Sequence, residues 1–190
     1  LLKMNEDLVS VIMPAFNSER YIVESIESIL NQTYRNIELL ITDDGSEDNT
    51  ISIIKSYAQK DSRVKAFFLK GNTGAGSARN NSIKHAKGRY IAFCDSDDVW
   101  LPEKLEKQIR FMQEKNCCFA FASYYVFDSE SRKKGIVLAP SSVSLIDTKR
   151  DDKIGFLTAV YDTSFYGKFY MPTLRKRQDW AYVLQILQKC

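Results

Sequence analysis

Gly88-Arg89-Tyr90-Ile91-Ala92-Phe93-Cys94-Asp95-Ser96-Asp97-Asp98 joins an apolar run to an acidic one. It reads as a short apolar strand running straight into carboxylates at Asp95, Asp97 and Asp98. Charges placed that closely cannot serve the core to which the strand belongs, because an ionised carboxylate buried without a partner is costly. The strand end therefore has to lie in a cleft that also offers positive charge.

A strand-to-helix pattern recurs before this stretch. Residues 8–13 are β-rich and stopped by Pro14; Ser18 then stands where a helix with Ile22, Ile26, Ile29 and Leu30 on one face would be capped. Residues 37–42 form a second apolar run, ending in Asp43-Asp44-Gly45-Ser46 and followed by a helical pattern at Ile51, Ile54 and Tyr57 that Asp48 or Asn49 can cap. A third strand at 64–69 leads through the glycine-bearing loop 71–76 to a helix carrying Ala78, Ile83 and Ala86. After the opening strand, Pro102 starts a helix with the inward stripe Leu105, Ile109 and Met112.

Strands alternating with helices in this way predict an α/β fold: a mixed, mostly parallel central sheet with helices on both faces. Ligands of such sheets bind beyond the carboxyl ends of the strands. By that rule residues 14–17, 43–46, 71–76 and 95–98 converge on one cleft. Beyond residue 116 the pattern changes. Residues 119–127 read as an aromatic strand, 136–138 as its hairpin partner, 139–153 as a polar loop and 154–161 as one more strand. A last helix carries Val183, Leu184, Ile186 and Leu187, and because no stop signal follows it, a longer C-terminus is expected.

Composition narrows the function. With 190 residues the chain suits one domain, and its 27 basic and 24 acidic residues are spread evenly, so the net charge of +3 predicts no nucleic-acid partner and no polybasic anchor. Arg132-Lys133-Lys134 reads as a solvated turn. Cys94, Cys117, Cys118 and Cys190 form no CxxC pair, which predicts neither structural zinc nor a disulfide framework and points to a reducing, cytoplasmic setting. No apolar run is long enough to span a bilayer, and the first residues lack a signal-peptide layout, with Lys3, Glu6 and Asp7 ahead of a strand-like run.

Asp95, Asp97 and Asp98 make a hard oxygen site suited to Mg²⁺ or Mn²⁺ together with phosphate oxygens, or else an Asp-rich turn ahead of the helix at Pro102. With Asp43 and Asp44 in the same cleft, the carboxylates would repel one another unless a cation or ligand donors joined them. A diphosphate with a divalent ion supplies that balance. Asp43 and Asp44 can accept hydrogen bonds from a base or ribose, or serve an Asx turn. Arg79 suits a phosphate contact, a link to the cleft carboxylates or an ordinary helix surface. The glycine loop lacks a P-loop lysine and the strand-opening GxGxxG, which disfavours ATP hydrolysis and nicotinamide binding. Asp179, beside Trp180 at a helix start, is either a general base or a helix cap.

Residues 9–17 (Val-Ser-Val-Ile-Met-Pro-Ala-Phe-Asn) with Glu19, then Asp43-Asp44-Gly45-Ser46, Asn72-Thr73-Gly74, Ala78-Arg79-Asn80 and Asp95-Ser96-Asp97-Asp98, together resemble the family 2 inverting glycosyltransferases. The resemblance implies one Rossmann-like GT-A catalytic domain over 1–190, nucleotide-binding over about 8–100 and acceptor-side over about 117–190. It implies a UDP-sugar donor, Mn²⁺ or Mg²⁺, and a glycan or lipid-linked acceptor in envelope, capsule or lipopolysaccharide synthesis. Pro14, Ala15, Phe16, Asn17, Glu19, Asp43 and Asp44 would line the uridine pocket. Arg79 and Ser96 would join the donor site, Asp95 would face ribose or sugar, and Asp97 with Asp95 would hold the metal, supported by Asp98. Asp179 would be the catalytic base, preceded by Gln178 where the family often has Glu. Peripheral membrane contact is expected through a further C-terminal region. The alternatives are a sugar-phosphate nucleotidyltransferase, which would want a basic glycine-rich signature after the first strand, and a silent nucleotide- or glycan-binding domain.

Overall fold

The computed structural model describes residues 6–128, 130, 132–150, 154–174 and 176–189. Lys3 and Cys190, used above, lie outside them. The elements in chain order are β1 (Val9–Ala15), α1 (Ile22–Leu30), β2 (Ile37–Asp43), α2 (Thr50–Lys60), β3 (Val64–Phe68), α3 (Ala75–His85), β4 (Tyr90–Phe93) and α4 (Lys104–Lys115). There follow β5 (Phe119–Ala120), β6 (Tyr124–Phe127), β7 (Lys133–Val137), α5 (Leu145–Arg150), a 3₁₀ turn (Phe156–Thr158), β8 (Val160–Asp162), α6 (Thr163–Tyr166) and α7 (Gln178–Leu187).

Six strands form one sheet in the order β3-β2-β1-β4-β8-β5. β1 pairs in parallel with β2 and β4, and β2 with β3, whereas β8 runs antiparallel to β4 and to β5. The sheet is thus mixed and mostly parallel, as the alternating pattern predicts. Continuous apolar runs in β1, β2 and β4 follow from burial on both faces. Val9, Val11, Met13, Leu39, Ile41 and Ala92 pack against Ile22, Ile26 and Ile29 of α1, Ile54 of α2 and Leu105, Ile109 and Met112 of α4. Their alternates Ile12, Leu40, Ile91 and Phe93 pack against Ile83 of α3 and Tyr182, Val183 and Ile186 of α7. The chain order reverses at β1, which lies between β2 and β4, and that switch opens a crevice at the carboxyl ends of the strands.

The structure departs from the sequence reading in places that have local causes. β1 continues through Pro14 to Ala15. Pairing of β1 with β4 ends at Ile12 opposite Phe93, so the missing N–H of Pro14 falls where only β2 flanks the strand. The side chain of Ser18 does not cap α1; its hydroxyl pairs with Ser96 at 2.7 Å and donates to the Phe16 carbonyl. The aromatic run at 119–127 splits into β5 and β6, the polar stretch 139–153 contains α5, and within 154–161 a 3₁₀ turn over Phe156–Thr158 precedes β8. Cys118 is disulfide-bonded, against the expectation, while Cys94 and Cys117 are free.

Beneath the sheet, at the ends opposite the crevice, buried Glu38 accepts from the Ser10 hydroxyl and the Lys87 amide, each at 2.6 Å, and Gly88 N–H donates to Ser10 Oγ at 2.8 Å. A Cβ at Gly88 would stand 2.6 Å from both the Leu8 carbonyl oxygen and the Ser10 amide nitrogen. Both are backbone atoms of the strand entry and cannot swing aside. Gly88→Ala is therefore expected to lower stability by about 1–3 kcal/mol; a denaturant midpoint equal to the parent's would show that the strand entry yields.

Candidate active site

The crevice is built from four strand-to-helix turns. After β2, the Asp43 carboxylate accepts from the amides of Gly45 and Ser46, both at 3.0 Å, and from the Ser46 hydroxyl. Gly45 adopts φ +84°, with Gly71 backbone atoms 3.0 Å from where a Cβ would stand, so the two loops meet only because the position is glycine. Asp44, 3% exposed, accepts from Thr73 N–H at 2.9 Å, Thr73 Oγ1 at 2.7 Å and Gly74 N–H at 2.6 Å. It ties the end of β2 to the loop that starts α3.

α3 carries Arg79 inward. Its Nη2 donates to Asp95 Oδ1 at 2.6 Å, its guanidinium lies 5.4 Å from the centre of the Phe156 ring, and its Nε is buried without a hydrogen-bond partner. Pro14, Ala15, Phe16, Asp44, Arg79, Asp95, Ser96 and Asp97 line one cavity of about 290 Å³, joined by Asn72, Ala75 and Ala78. Of the residues expected to bind the donor, Asn17, Glu19 and Asp43 are not among those lining it. Asn17, at φ 47°, receives the Glu47 amide on Oδ1, and the Glu19 carboxylate receives the backbone and side-chain N–H groups of Asn49. With Asp43 held by its own turn, these three polar groups shape the crevice walls.

Asp179 stands in the first turn of α7, whose N-cap is Arg177. It lines a second cavity of about 640 Å³ with Phe156, Tyr124, Val137, Leu138 and Pro140. Phe156 lines this cavity and Arg79 the first, so the Arg79–Phe156 contact is where the two sides meet. Phe156 was hidden from the sequence reading inside an expected strand. Its neighbour offers the available signal: a Cβ at Gly155 would come 2.4 Å from the Tyr124 ring, so the close seat of that aromatic requires glycine there.

The acidic loop is short of positive charge. Burial, together with the charges of Asp95 and Asp97, pushes the Asp98 carboxyl up to about 7. Arg79 opposes the rise without cancelling it. Among the described residues no three His, Cys, Asp or Glu side chains converge into a protein-only metal site. Asp95 and Asp97 are the two acidic-loop carboxylates that reach the cavity, and Asp95 is already paired with Arg79. Two hard carboxylates beside uncompensated negative charge fit a divalent cation whose remaining ligands are diphosphate oxygens and water.

A family model described as Glycosyl transferase family 2 matches residues 10–175. The chain is 40% identical over 183 residues to the putative teichuronic acid biosynthesis glycosyltransferase TuaG of Bacillus subtilis, covering 96% of this chain and 73% of that protein. It is also 40% identical to the UDP-Glc:alpha-D-GlcNAc-diphosphoundecaprenol beta-1,3-glucosyltransferase WfgD of Escherichia coli, covering 97% and 72%. The crystal structure of S. aureus TarS 1-349 superposes with a TM-score of 0.76 at 26% identity, over 95% of this chain and 55% of that one. TarS 1-349 in complex with UDP-GlcNAc gives 0.71 at 27% identity, over 93% and 53%. The chain thus spans little more than half of that solved fragment.

Under the acidic loop, Lys104 Nζ is buried without a hydrogen-bond partner, 3.9 Å from the centre of the Trp100 ring. Burial pulls the amine down to about 7, and the neighbouring Cys94 opposes the fall. The Cys94 thiol is pushed well above its usual value by burial and by Asp98 and Asp95. Because the folded chain holds Lys104 below its ordinary value of 10.5, the unfolded chain binds more protons between about pH 7 and 10.5, and this group adds stability as pH rises through that window. Lys104→Met is expected to be most stabilising at or below pH 7 and to flatten the rise, seen as the difference between variant and parent in unfolding free energy across pH. An unchanged difference from pH 6 to 10 would mean that the amine is solvated.

Proposed function

Since the chain belongs to glycosyl transferase family 2, we propose that it moves a hexosyl or N-acetylhexosaminyl group from a UDP-sugar to a hydroxyl of a glycan or lipid-linked acceptor, with inversion, in cell-surface polysaccharide synthesis. The observation that carries the reading is the meeting of two cavities across Arg79 and Phe156. One holds Asp44, Asp95 and Asp97 at the strand ends, and the other holds Asp179. The TarS complexes with UDP and UDP-GlcNAc support a UDP-sugar donor, and the name of WfgD supports a lipid-diphosphate acceptor.

The donor enters the smaller cavity with its base toward Pro14, Ala15, Phe16 and Asp44, and its ribose and sugar toward Asp95. Arg79 orients Asp95 through their 2.6 Å ion pair and leaves Nε free to donate to an incoming oxygen. A divalent cation held by Asp97 and Asp95 together with diphosphate oxygens would stabilise the negative charge of the departing UDP. Asp179, on the larger cavity, accepts the proton of an acceptor hydroxyl. The hydroxyl oxygen bonds to the anomeric carbon as the bond from that carbon to the UDP oxygen breaks on the opposite face, and one displacement inverts the configuration. Residues 8–100 then serve the donor and 117–190 the acceptor within one catalytic domain. Asn17, Glu19 and Asp43 act one step back, holding the loops that shape the donor cavity.

Asp97→Ala is expected to abolish metal-stimulated transfer. Asp179→Asn is expected to keep UDP-sugar binding and lower transfer by about 10²–10⁴-fold, the range for a lost general base. Calorimetric donor binding beside a turnover assay with Mn²⁺ separates the two. Full transfer in Asp97→Ala would remove that residue from the donor site, and full transfer in Asp179→Asn would move the base elsewhere.

A further inference from the structure

β6 and β7 form a two-stranded sheet of their own, apart from the central sheet. In an antiparallel pair, residues opposite each other share a face. Tyr124 opposite Val137 belongs to the face that lines the Asp179 cavity. The other face carries Tyr125 opposite Ile136 and, past a bulge between Val126 and Phe127, Phe127 opposite Lys133, whose Nζ meets the Tyr125 ring. Tyr125 is 44% exposed, Ile136 50% and Phe127 56%. A lone ribbon is marginal in water, and this one turns an aromatic and aliphatic surface outward.

The charges at the hairpin decide what would cover that surface. Asp128 takes Arg132 at 3.0 Å and Lys134 at 3.1 Å, and Glu130 takes Arg132 at 3.0 Å. Lys133 has no ion-pair partner among the described residues, and its Nζ lies 3.8 Å from the centre of the Tyr125 ring. The surplus positive charge therefore sits on the apolar face itself. A lysine ammonium seated on an exposed aromatic ring places a cation on apolar surface, which matches the boundary between acyl chains and anionic headgroups. The run Arg132-Lys133-Lys134, expected to be a solvated turn, thus divides into two ion-paired bases and one that is not.

We infer that the outer face of the β6–β7 hairpin docks on an anionic lipid surface, which sets the Asp179 cavity at the membrane boundary. Its purpose rests on the acceptor-side reading above, because a lipid-linked acceptor presents its hydroxyls at that boundary. The contact itself involves no chemistry.

The test is sedimentation of the full chain with vesicles of phosphatidylcholine containing phosphatidylglycerol, and with vesicles of phosphatidylcholine alone, beside calorimetric UDP-sugar binding. The parent is expected to favour the anionic vesicles. Phe127→Ser with Ile136→Ser is expected to lower the partition coefficient about tenfold, and Lys133→Glu to remove the preference for phosphatidylglycerol. Donor binding equal to the parent's shows that each variant is folded. Docking by a parent that binds no UDP-sugar would sink the function proposed above and leave the surface standing. No sedimentation of the parent with either vesicle, or equal sedimentation of parent and both variants, overturns the inference. So does loss of a dimer in the double variant with vesicle binding unchanged, which would assign the face to a second copy of the chain.

Discussion

The surplus of negative charge at the carboxyl end of β4 is the constraint on which the site depends. Tyr90, Ile91, Ala92 and Phe93 are buried on both faces of the sheet, so the chain leaves the core directly into Asp95, Asp97 and Asp98. Arg79 meets one of the three at 2.6 Å, and burial first, then the charges of Asp95 and Asp97, raise the Asp98 carboxyl. A loop in that condition favours a ligand that brings cationic charge with it, and a metal-diphosphate fits that description. The surrounding turns are held by other means. The Asp43 and Asp44 oxygens are taken up by amides and hydroxyls of the protein.

That division between carboxylates explains what the sequence made legible. Four strand-to-helix units, each with one apolar rhythm and one polar turn, carry the parallel half of the sheet openly, and the rule that ligands gather at strand ends brings Pro14, Asp44, Arg79 and Asp97 together. The direction in which each carboxylate points was not legible. Asp43 and Asp44 are adjacent and identical in type, yet one closes its own turn while the other clamps the loop before α3 and lines the cavity. Glu19 stands three residues from Phe16 but faces the start of α2. Such choices follow from φ values at Asn17, Gly45 and Gly74 that only the assembled loops impose.

The second half of the chain was less legible for a different reason. Its elements are short, and a two-residue β5, a three-residue β8 and a single 3₁₀ turn leave no period long enough to count. They are defined instead by long-range contact. β8 exists because β4 and β5 flank it, and the turn at Phe156 is fixed by rings from two elements, with Phe93 at 4.4 Å and Tyr182 at 5.7 Å between centroids. A stretch such as 154–161 is apolar enough to read as a strand when taken alone. The aromatic cluster bends it and delivers Phe156 to the wall between the two cavities.

That wall is shared by the two sides. Phe156 packs on Phe93 of β4 and on Tyr182 of α7, and it also meets the guanidinium that holds Asp95. α7 carries Asp179, and α3 carries Arg79. Phe156 thus touches Arg79 of α3 and Tyr182 of α7, the helix that carries Asp179. A side chain at that junction has to be large, apolar on both sides and tolerant of a cation on one face, requirements that an aromatic ring meets together. Leucine of similar volume would fill the space but would leave the buried guanidinium without its π partner. It would also free the Arg79–Asp95 pair to shift with the charge in the crevice.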